Sequence, residues 1–165
     1  MYNYYPELTD NDFYKKIYSK KEFNKYKIKK EERTFEEICE SKNYELLPQQ
    51  NLLKNYISLN TPYNGVLVFH GTGVGKTCTA IAIAEGFKEI ITGDERRIIV
   101  LVNKNIKNNF EREIYDINKE LYKKKKDDIV QCTGVEYDIF QSDAYLSSEQ
   151  KMRKIKSIIN KNYEF

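Results

Sequence analysis

The segment that most constrains this chain lies between residues 66 and 91, where three patterns follow one another. Residues 66–69 are all apolar, which is typical of a buried strand. Residues 70–77 read HGTGVGKT, a glycine-rich turn, and the apolar pattern at residues 78–91 predicts a long helix. A strand, a glycine loop and a helix in this order, with Lys-Thr where the helix begins, predict a loop that binds the phosphates of a nucleotide.

Each part of this loop has a chemical task. Glycines let the backbone curl, so that successive N–H groups point at phosphate oxygens, and the helix start adds the positive end of its dipole. Lys76 is expected to reach the β- and γ-phosphates of ATP as the catalytic residue, and the Thr77 hydroxyl to hold Mg²⁺. The predicted nucleotide contacts in the loop are Gly71, Thr72, Gly73, Val74, Gly75, Lys76, Thr77 and Cys78. The alternative is a glycine turn that binds nothing.

The loop departs from the common pattern at one position. A glycine usually stands five residues before the final glycine, and His70 occupies that place here. Many helicase-type ATPases tolerate another residue there, so the departure favours that class over small kinases and GTPases.

Composition sets looser bounds. A length of 165 residues predicts one domain, alone or with an arm, and is enough to bury a core. The net charge of +3 does not by itself require a nucleic-acid partner. The cysteines Cys39, Cys78 and Cys132 are expected to be reduced thiols, and their spacing does not suggest a zinc site. No apolar run approaches the ~20 residues that span a bilayer, and the start of the chain lacks a secretory signal pattern.

Residues 1–43 differ from the rest, because lysines alternate with aromatic residues there. This pattern can bind nucleic acid through phosphate neutralisation and base stacking. We favour the alternative, a partly helical arm whose aromatic side chains pack on the domain behind it. Residues 44–165 are then the nucleotide-binding domain.

A helix is predicted within residues 46–57, with Pro48 in its first turn, one element before the glycine loop. Gln50 lies in its first turn, and a glutamine amide can pair with the N6 and N7 atoms of adenine. Gln50 is therefore a candidate contact for the base of ATP, although an ordinary surface glutamine is the alternative.

A second ligand site is predicted where residues 97–102, a buried strand, lead into a helix that begins near Asn103 or Asn105. Ligands of α/β folds bind at the carboxyl ends of strands, so Lys104 and Asn105 are candidates for contacting a nucleic-acid phosphate. An ordinary capped helix start is the alternative. A third short strand at 129–132, a helix at 147–160 and the start of a strand at 163–165 follow.

These elements predict an α/β fold with a parallel sheet flanked by helices. A phosphate-loop ATPase also needs an acidic residue after a second apolar strand, to hold Mg²⁺ and orient water. The strand at 97–102 ends in Asn103, and Asp138 follows a short polar run. We therefore expect the chain to be an N-terminal fragment that stops before the acidic magnesium motif.

Four segments of the chain, at residues 47–50, 60–65, 70–78 and 84–88, resemble a known family. This family is the superfamily 2 helicase-like ATPases of nucleocytoplasmic large DNA viruses, relatives of the poxvirus early transcription factor large subunit. Residues 5–8, 15–23, 131–134 and 163–165 fit the same family, so the similarity covers most of the chain. Only the phosphate loop is specific by itself.

The resemblance implies a RecA-like ATP-binding lobe that uses ATP and Mg²⁺, with Gln50 as the adenine-sensing glutamine and residues 103–105 as the first nucleic-acid-contacting motif. It also implies three partners. These are a nucleic acid, which is DNA rather than RNA, a second RecA-like lobe that is absent from this chain, and transcription subunits. The implied function is that of the first lobe of a DNA-dependent helicase-like ATPase, which serves viral transcription in the virion or host cytoplasm. The fragment alone is expected to bind ATP–Mg but to hydrolyse it poorly. One alternative is a non-catalytic module that binds nucleic acid or protein through the basic arm. Another is a phosphotransferase, but neither a catalytic acid nor a lid is found for it.

Overall fold

The computed structural model describes residues 4–27, 45–91, 96–120, 131–133 and 145–165. Eight helices and two strands lie within these ranges. The helices are α1 (Phe13–Ser19), α2 (Lys21–Asn24), α3 (Pro48–Tyr56), α4 (Lys76–Glu85), α5 (Lys88–Ile91), α6 (Lys104–Ile114), α7 (Ile117–Glu120) and α8 (Ser148–Asn162). The strands are β1 (Ile98–Ile99) and β2 (Tyr163–Glu164).

The two strands form a parallel pair. Ile98 lies opposite Tyr163 and Ile99 lies opposite Glu164, and the Val100 N–H continues the ladder by donating to the Glu164 carbonyl across 2.8 Å. The predicted strands at 97–102 and 163–165 are thus present in shortened form. The first was expected to be buried, which was wrong, since the side chains of Ile99 and Leu101 are 69% and 92% exposed. Parallel strands joined through helices define the α/β class, so the class is supported, while the described ladder is too small to display a whole RecA-like sheet.

Two other predicted strands differ from the structure. Residues 66–69 belong to no ladder among the described residues, and the side chains of Leu67 and Phe69 are 89% and 93% exposed. A strand forms only where a neighbour accepts its hydrogen bonds, and no described segment pairs with this one. Residues 131–133 form a bend and a turn rather than a strand, while 129–130 lie outside the described ranges.

The main core lies where α4, α6, α8 and β2 meet. Side chains spaced four residues apart put Phe110 and Ile114 on one face of α6, and Ile155 and Ile159 on one face of α8. Ile81 of α4 is fully buried between them. This core fixes α4, and with it the glycine loop that precedes α4, against the rest of the domain.

A second, aromatic cluster joins the N-terminal arm to α3. Ile17, Phe23 and Tyr63 are buried in it, and the Tyr56 ring stacks on Tyr63 with centroids 4.4 Å apart. The Tyr63 hydroxyl also donates to the Pro6 carbonyl across 2.8 Å. The expectation that the arm is partly helical and packs through its aromatic residues is therefore confirmed for residues 4–27. Residues 28–44 lie outside the described ranges.

The helix predicted at 78–91 begins two residues earlier and is divided. α4 ends at Glu85 and α5 starts at Lys88, because the chain turns at Gly86, whose N–H donates to the Ile83 carbonyl across 3.0 Å. A Cβ at this glycine would lie 3.1 Å from the same carbonyl oxygen. Among the described helices, none combines the length and apolarity needed to cross a bilayer.

Candidate nucleotide-binding site

The glycine loop is shaped by two residues in the left-handed region. Gly73 and Gly75 have φ angles of +78° and +76°, which an L side chain rarely adopts. Gly75 is also the N-cap of α4, and its carbonyl accepts from both the N–H and the hydroxyl of Thr79, across 2.9 and 3.0 Å. A Cβ at Gly71 or Gly73 would meet nothing within 4 Å. The loop therefore has open space beside it and the N-terminus of a ten-residue helix beneath it.

Lys76, the first residue of α4, turns its ammonium back onto the loop. Its Nζ donates to the His70 carbonyl across 3.0 Å and to the Gly71 carbonyl across 2.6 Å. The side chain stays exposed, and both acceptors are neutral backbone groups. A phosphate oxygen would form a stronger, charge-assisted bond with the same ammonium. The residue predicted to be catalytic is thus at the loop, within reach of an anion placed there.

Gln50 supports the loop from behind. Its side chain is 1% exposed; Oε1 accepts from the Leu47 N–H across 2.8 Å, and Nε2 donates to the Gly75 carbonyl across 3.1 Å. A Cβ on Gly75 would lie only 2.5 Å from Nε2, so glycine is required by this approach as well as by its φ angle. We predicted Gln50 as a base contact and missed this supporting role. Its place in the first turn after Pro48, where a glutamine can bond back to the N-cap N–H, was the available signal.

Cys78 is joined to Cys132 by a disulfide, with Cα atoms 5.5 Å apart. The expectation of reduced thiols was wrong for this pair. The two residues are separated by 54 positions, and only the tertiary packing of α4 against the segment 131–133 brings them together.

A cavity of about 660 Å³ opens beside the start of the loop, between the arm and α3. His70 lines it, and the Nδ1 atom of this histidine is buried without a hydrogen-bond partner among the described residues. Sequence reasoning missed this cavity, because its walls come from segments far apart in the chain. The lining residues are Tyr18, Asn24, Tyr26, Lys27, Gln49, Leu52, Leu53 and His70.

The second predicted site is an exposed helix start. Asn103 is the N-cap of α6, and its side chain accepts from the Asn105 N–H across 3.1 Å. This confirms one of the two predicted caps. Lys104 and Asn105 are both exposed and follow β1 at its carboxyl end. α6 packs against α4, so one domain carries both predicted sites.

Side chains suited to Mg²⁺ are few in this part of the molecule. Thr77, the predicted ligand, is the second residue of α4 and is half-buried beside the loop. The described ranges contain no group of three or more His, Cys, Asp or Glu side chains that could hold a metal ion. Asp138 lies outside these ranges. Thr77 is therefore the described side chain on which the prediction of a magnesium site rests.

Comparison with known proteins places the chain among helicase-like sequences. The family model described as "Type III restriction enzyme, res subunit" matches residues 43–164. A protein of Acanthamoeba polyphaga mimivirus, provisionally named an ATP-dependent RNA helicase, is 37% identical over 96% of this chain and 14% of its own length. A second mimivirus protein with the same provisional name is 40% identical over 67% of this chain and 18% of its own length.

A protein of Invertebrate iridescent virus 3, provisionally named a helicase, is 32% identical over 98% of this chain and 15% of its own length. The chain thus spans less than a fifth of each of these three relatives. No solved structure matches it significantly. The predicted resemblance to superfamily 2 helicase-like proteins of large DNA viruses is confirmed at that level, while the narrower relation to the poxvirus factor stays a prediction. Since the family model covers most of its residues, the chain belongs to the family of the type III restriction enzyme res subunit.

Proposed function

We propose that this chain forms the RecA-like, ATP-binding first lobe of a helicase-like ATPase that acts on nucleic acid. The observation that carries the proposal is the loop itself. Gly75, at φ +76°, caps a helix whose first two residues are Lys76 and Thr77. This arrangement sets backbone N–H groups, a helix N-terminus and a cation around one space, which is the chemistry that a polyphosphate needs.

In this proposal Lys76 changes partners when a nucleotide arrives. Its ammonium leaves the carbonyls of His70 and Gly71 for oxygens of the β- and γ-phosphates. The Thr77 hydroxyl would hold a magnesium ion at the start of α4, and the ion would supply positive charge to neutralise the phosphates. Val74 and Cys78 contribute backbone N–H groups, as do Gly71, Thr72, Gly73 and Gly75.

Gln50 has hydrogen-bonding capacity left for a base. An amide carries two N–H donors and two acceptor lone pairs, and Gln50 uses one of each on Gly75 and Leu47. The remaining donor and acceptor match the N7 and N6–H₂ groups of adenine. Because the side chain is 1% exposed, the base contact requires Gln50 or the arm beside it to move. The bond to Gly75 would then transmit base binding to the phosphate loop.

Lys104 and Asn105 are proposed to contact the nucleic-acid backbone. They are exposed at the start of α6, whose N–H groups and dipole favour a phosphate. DNA as the preferred partner remains our prediction, although two of the relatives are named RNA helicases. Two lysines of the arm already have partners within it. Lys16 forms an ion pair with Asp10, and Lys20 lies 3.6 Å from the centroid of the Tyr4 ring.

The wider context belongs to the same proposal. The intact protein would add the acidic magnesium motif and a second lobe, and would serve viral transcription in the virion or host cytoplasm, together with other transcription subunits. This chain alone would bind ATP–Mg weakly, because a site normally closed by a second lobe is half open, and would hydrolyse it poorly.

Calorimetric titration with ATP and Mg²⁺ tests the proposal. Lys76→Ala should abolish measurable binding, because the ammonium is the only side-chain cation that the described residues place on the loop. Lys54→Ala is the matched control, since this lysine is exposed on α3 and should leave the affinity unchanged. Equal affinity in the wild-type chain and Lys76→Ala would overturn the assignment.

A further inference from the structure

We propose that the Cys78–Cys132 disulfide is a reversible redox latch on the phosphate loop, and that the chain binds nucleotide more tightly when the latch is closed. The proposal rests on the proposed function for its nucleotide readout. The latch itself can be tested without nucleotide.

The first half of the latch lies in the turn of α4 that carries the nucleotide contacts. Cys78 follows Thr77 directly and is the third residue of the helix. Its side chain is 6% exposed and faces the interior, whereas Lys76 and residues 71–74 are exposed. The disulfide therefore restrains the helix start from the buried side and does not block the space beside the loop.

The second half is anchored to α6. Gln131 Oε1 accepts from the Asp116 N–H across 2.5 Å, and Gln131 Nε2 donates to the carbonyl of Asp116 across 3.3 Å. The Thr133 hydroxyl donates to the Ile114 carbonyl across 2.8 Å. Cys132 is thus held from both sides at the carboxyl end of α6, and the disulfide ties the first turn of α4 to that end.

Closing the latch fixes the loop at a second point. Gln50 already holds Gly75 through a single hydrogen bond, and the disulfide adds a covalent restraint three residues further on. A loop held in its binding geometry loses less conformational freedom when a ligand arrives, which raises affinity. Opening the disulfide removes the covalent restraint and leaves the Gln50 bond, the Lys76 contacts with the loop carbonyls and packing.

The two sulfurs differ in exposure, which determines which of them begins thiol–disulfide exchange. Cys78 is 6% exposed, so a bulky oxidant does not reach its sulfur directly. Cys132 is half-buried, and Glu113 Oε2 lies 3.9 Å from its Sγ, where a carboxylate can accept the S–H hydrogen. Cys132 is therefore the attacking thiol, and Cys78 closes the bond.

The oxidant is a small-molecule disulfide, with glutathione disulfide as the probe. Cys132 gives up its proton, attacks one sulfur of this oxidant and expels a glutathione thiolate, leaving a mixed disulfide. Cys78 gives up its proton, attacks the Cys132 sulfur and expels the second glutathione. The two cysteines lose two electrons and two protons, and the oxidant becomes two thiols. A dithiol such as dithiothreitol reverses the reaction.

The experiment uses the full chain with Cys39→Ser, so that only the latch pair can react. Free thiols are counted by alkylation and mass spectrometry after equilibration with reduced or oxidised glutathione. Hydrogen exchange of residues 72–80 and the affinity for a fluorescent ATP analogue are measured in both states. We expect slower exchange and at least about fivefold tighter binding in the oxidised form. Cys132→Ser in the same background should lose both differences.

The outcomes separate the two proposals. Failure of glutathione disulfide to close the bond, or exchange and affinity that do not depend on redox state while Lys76-dependent binding persists, overturns the latch and leaves the proposed function standing. Absence of nucleotide binding in both states overturns the proposed function and the affinity effect together. A redox-dependent difference in hydrogen exchange would, in that case, still support the mechanical restraint.

Discussion

The side-chain amide of Gln50 donates to the backbone carbonyl of Gly75 across 3.1 Å, which joins the first turn of α3 to the N-cap of α4. This single bond connects the helix expected to sense the base with the loop expected to bind the phosphates. The glutamine is almost fully buried, so the bond is shielded from water. Substitutions on either side of it should therefore affect the whole candidate site.

Replacing Gln50 by glutamate should lower the free energy of unfolding by about 1–3 kcal/mol. The carboxylate can still accept from the Leu47 N–H, but it cannot donate to Gly75 and instead places a negative oxygen against that carbonyl. Urea unfolding followed by circular dichroism measures the change. Gln49→Glu adds the same charge at the neighbouring, half-buried position and should cost much less. Equal losses in the two variants would show that the bond to Gly75 contributes nothing.

Gly75→Ala should destabilise the chain for two separable reasons. The positive φ angle costs an L residue about 1–2 kcal/mol, and the new Cβ would lie 2.5 Å from Gln50 Nε2. Shortening the neighbour with Gln50→Ala removes the clash but not the backbone strain. The double variant should therefore lose less stability than the sum of the two single variants.

Gly71→Ala is the control for the comparison of the single and double variants. A Cβ at Gly71 meets nothing within 4 Å, and the residue lacks a positive φ. It should change the unfolding free energy far less than Gly75→Ala. Strict additivity of Gly75→Ala and Gln50→Ala would contradict the close approach described here.

Tyr163→Phe should lower the free energy of unfolding by about 1–2 kcal/mol. The hydroxyl of Tyr163 donates to Glu85 Oε1 across 2.5 Å, and Glu85 also pairs with Lys88 across 2.9 Å, so the change removes one bond from a buried carboxylate. This contact joins the end of α4 to β2. Thermal unfolding of Tyr163→Phe and of Tyr145→Phe, whose ring is 99% exposed, provides the comparison. Equal melting temperatures in the two variants would show that the hydrogen bond from Tyr163 to Glu85 does not contribute to stability.

Stability should fall as the pH rises from about 10 to about 12, in part because of Tyr5. Burial of its ring and the hydrogen bond to Glu22 raise the pKa of Tyr5 from 10.0 to about 12. In this window the unfolded chain has released the proton while the folded chain retains it, so unfolding becomes more favourable. Burial also raises the pKa of Tyr56 and of Tyr63, which act in the same direction.

Tyr5→Phe should therefore reduce the slope of unfolding free energy against pH above pH 10 without abolishing it. Denaturant unfolding at a series of pH values measures the slope. Tyr14→Phe, at an exposed ring, is the control. An unchanged slope in Tyr5→Phe would mean that burial and the Glu22 hydrogen bond do not raise the pKa of Tyr5 in solution.

Local chemistry explains most of what the sequence predicted correctly. Asn103 caps α6 through its own side chain, and the four-residue spacing of Ile155 and Ile159 marks the buried face of α8. Gly75 and Lys76 occupy the loop positions that their order in the chain predicted, since a positive φ and a helix start are properties of a few consecutive residues. The arm was expected to pack through its aromatic residues, because apolar rings seek burial wherever a surface is available.

The errors and omissions concern features that depend on contacts between segments far apart in the chain. A strand at 66–69 needs a neighbour, which no pattern within those residues can supply. The Cys78–Cys132 disulfide joins residues 54 positions apart, and the hydrogen bond from Gln50 to Gly75 joins residues 25 positions apart. The cavity beside His70 likewise has walls from the arm and from α3. Contacts of this kind are set by the tertiary fold.

The central claim is that the backbone amides of residues 72–76 surround a polyphosphate. Titration of the ¹⁵N-labelled chain with ATP and Mg²⁺, followed by amide resonances, tests it most directly. We predict that the largest shifts occur at Gly73, Gly75 and Lys76, that they saturate, and that they vanish in Lys76→Ala. Loop resonances that stay in place at saturating ATP, or shifts confined to other parts of the chain, would contradict the account.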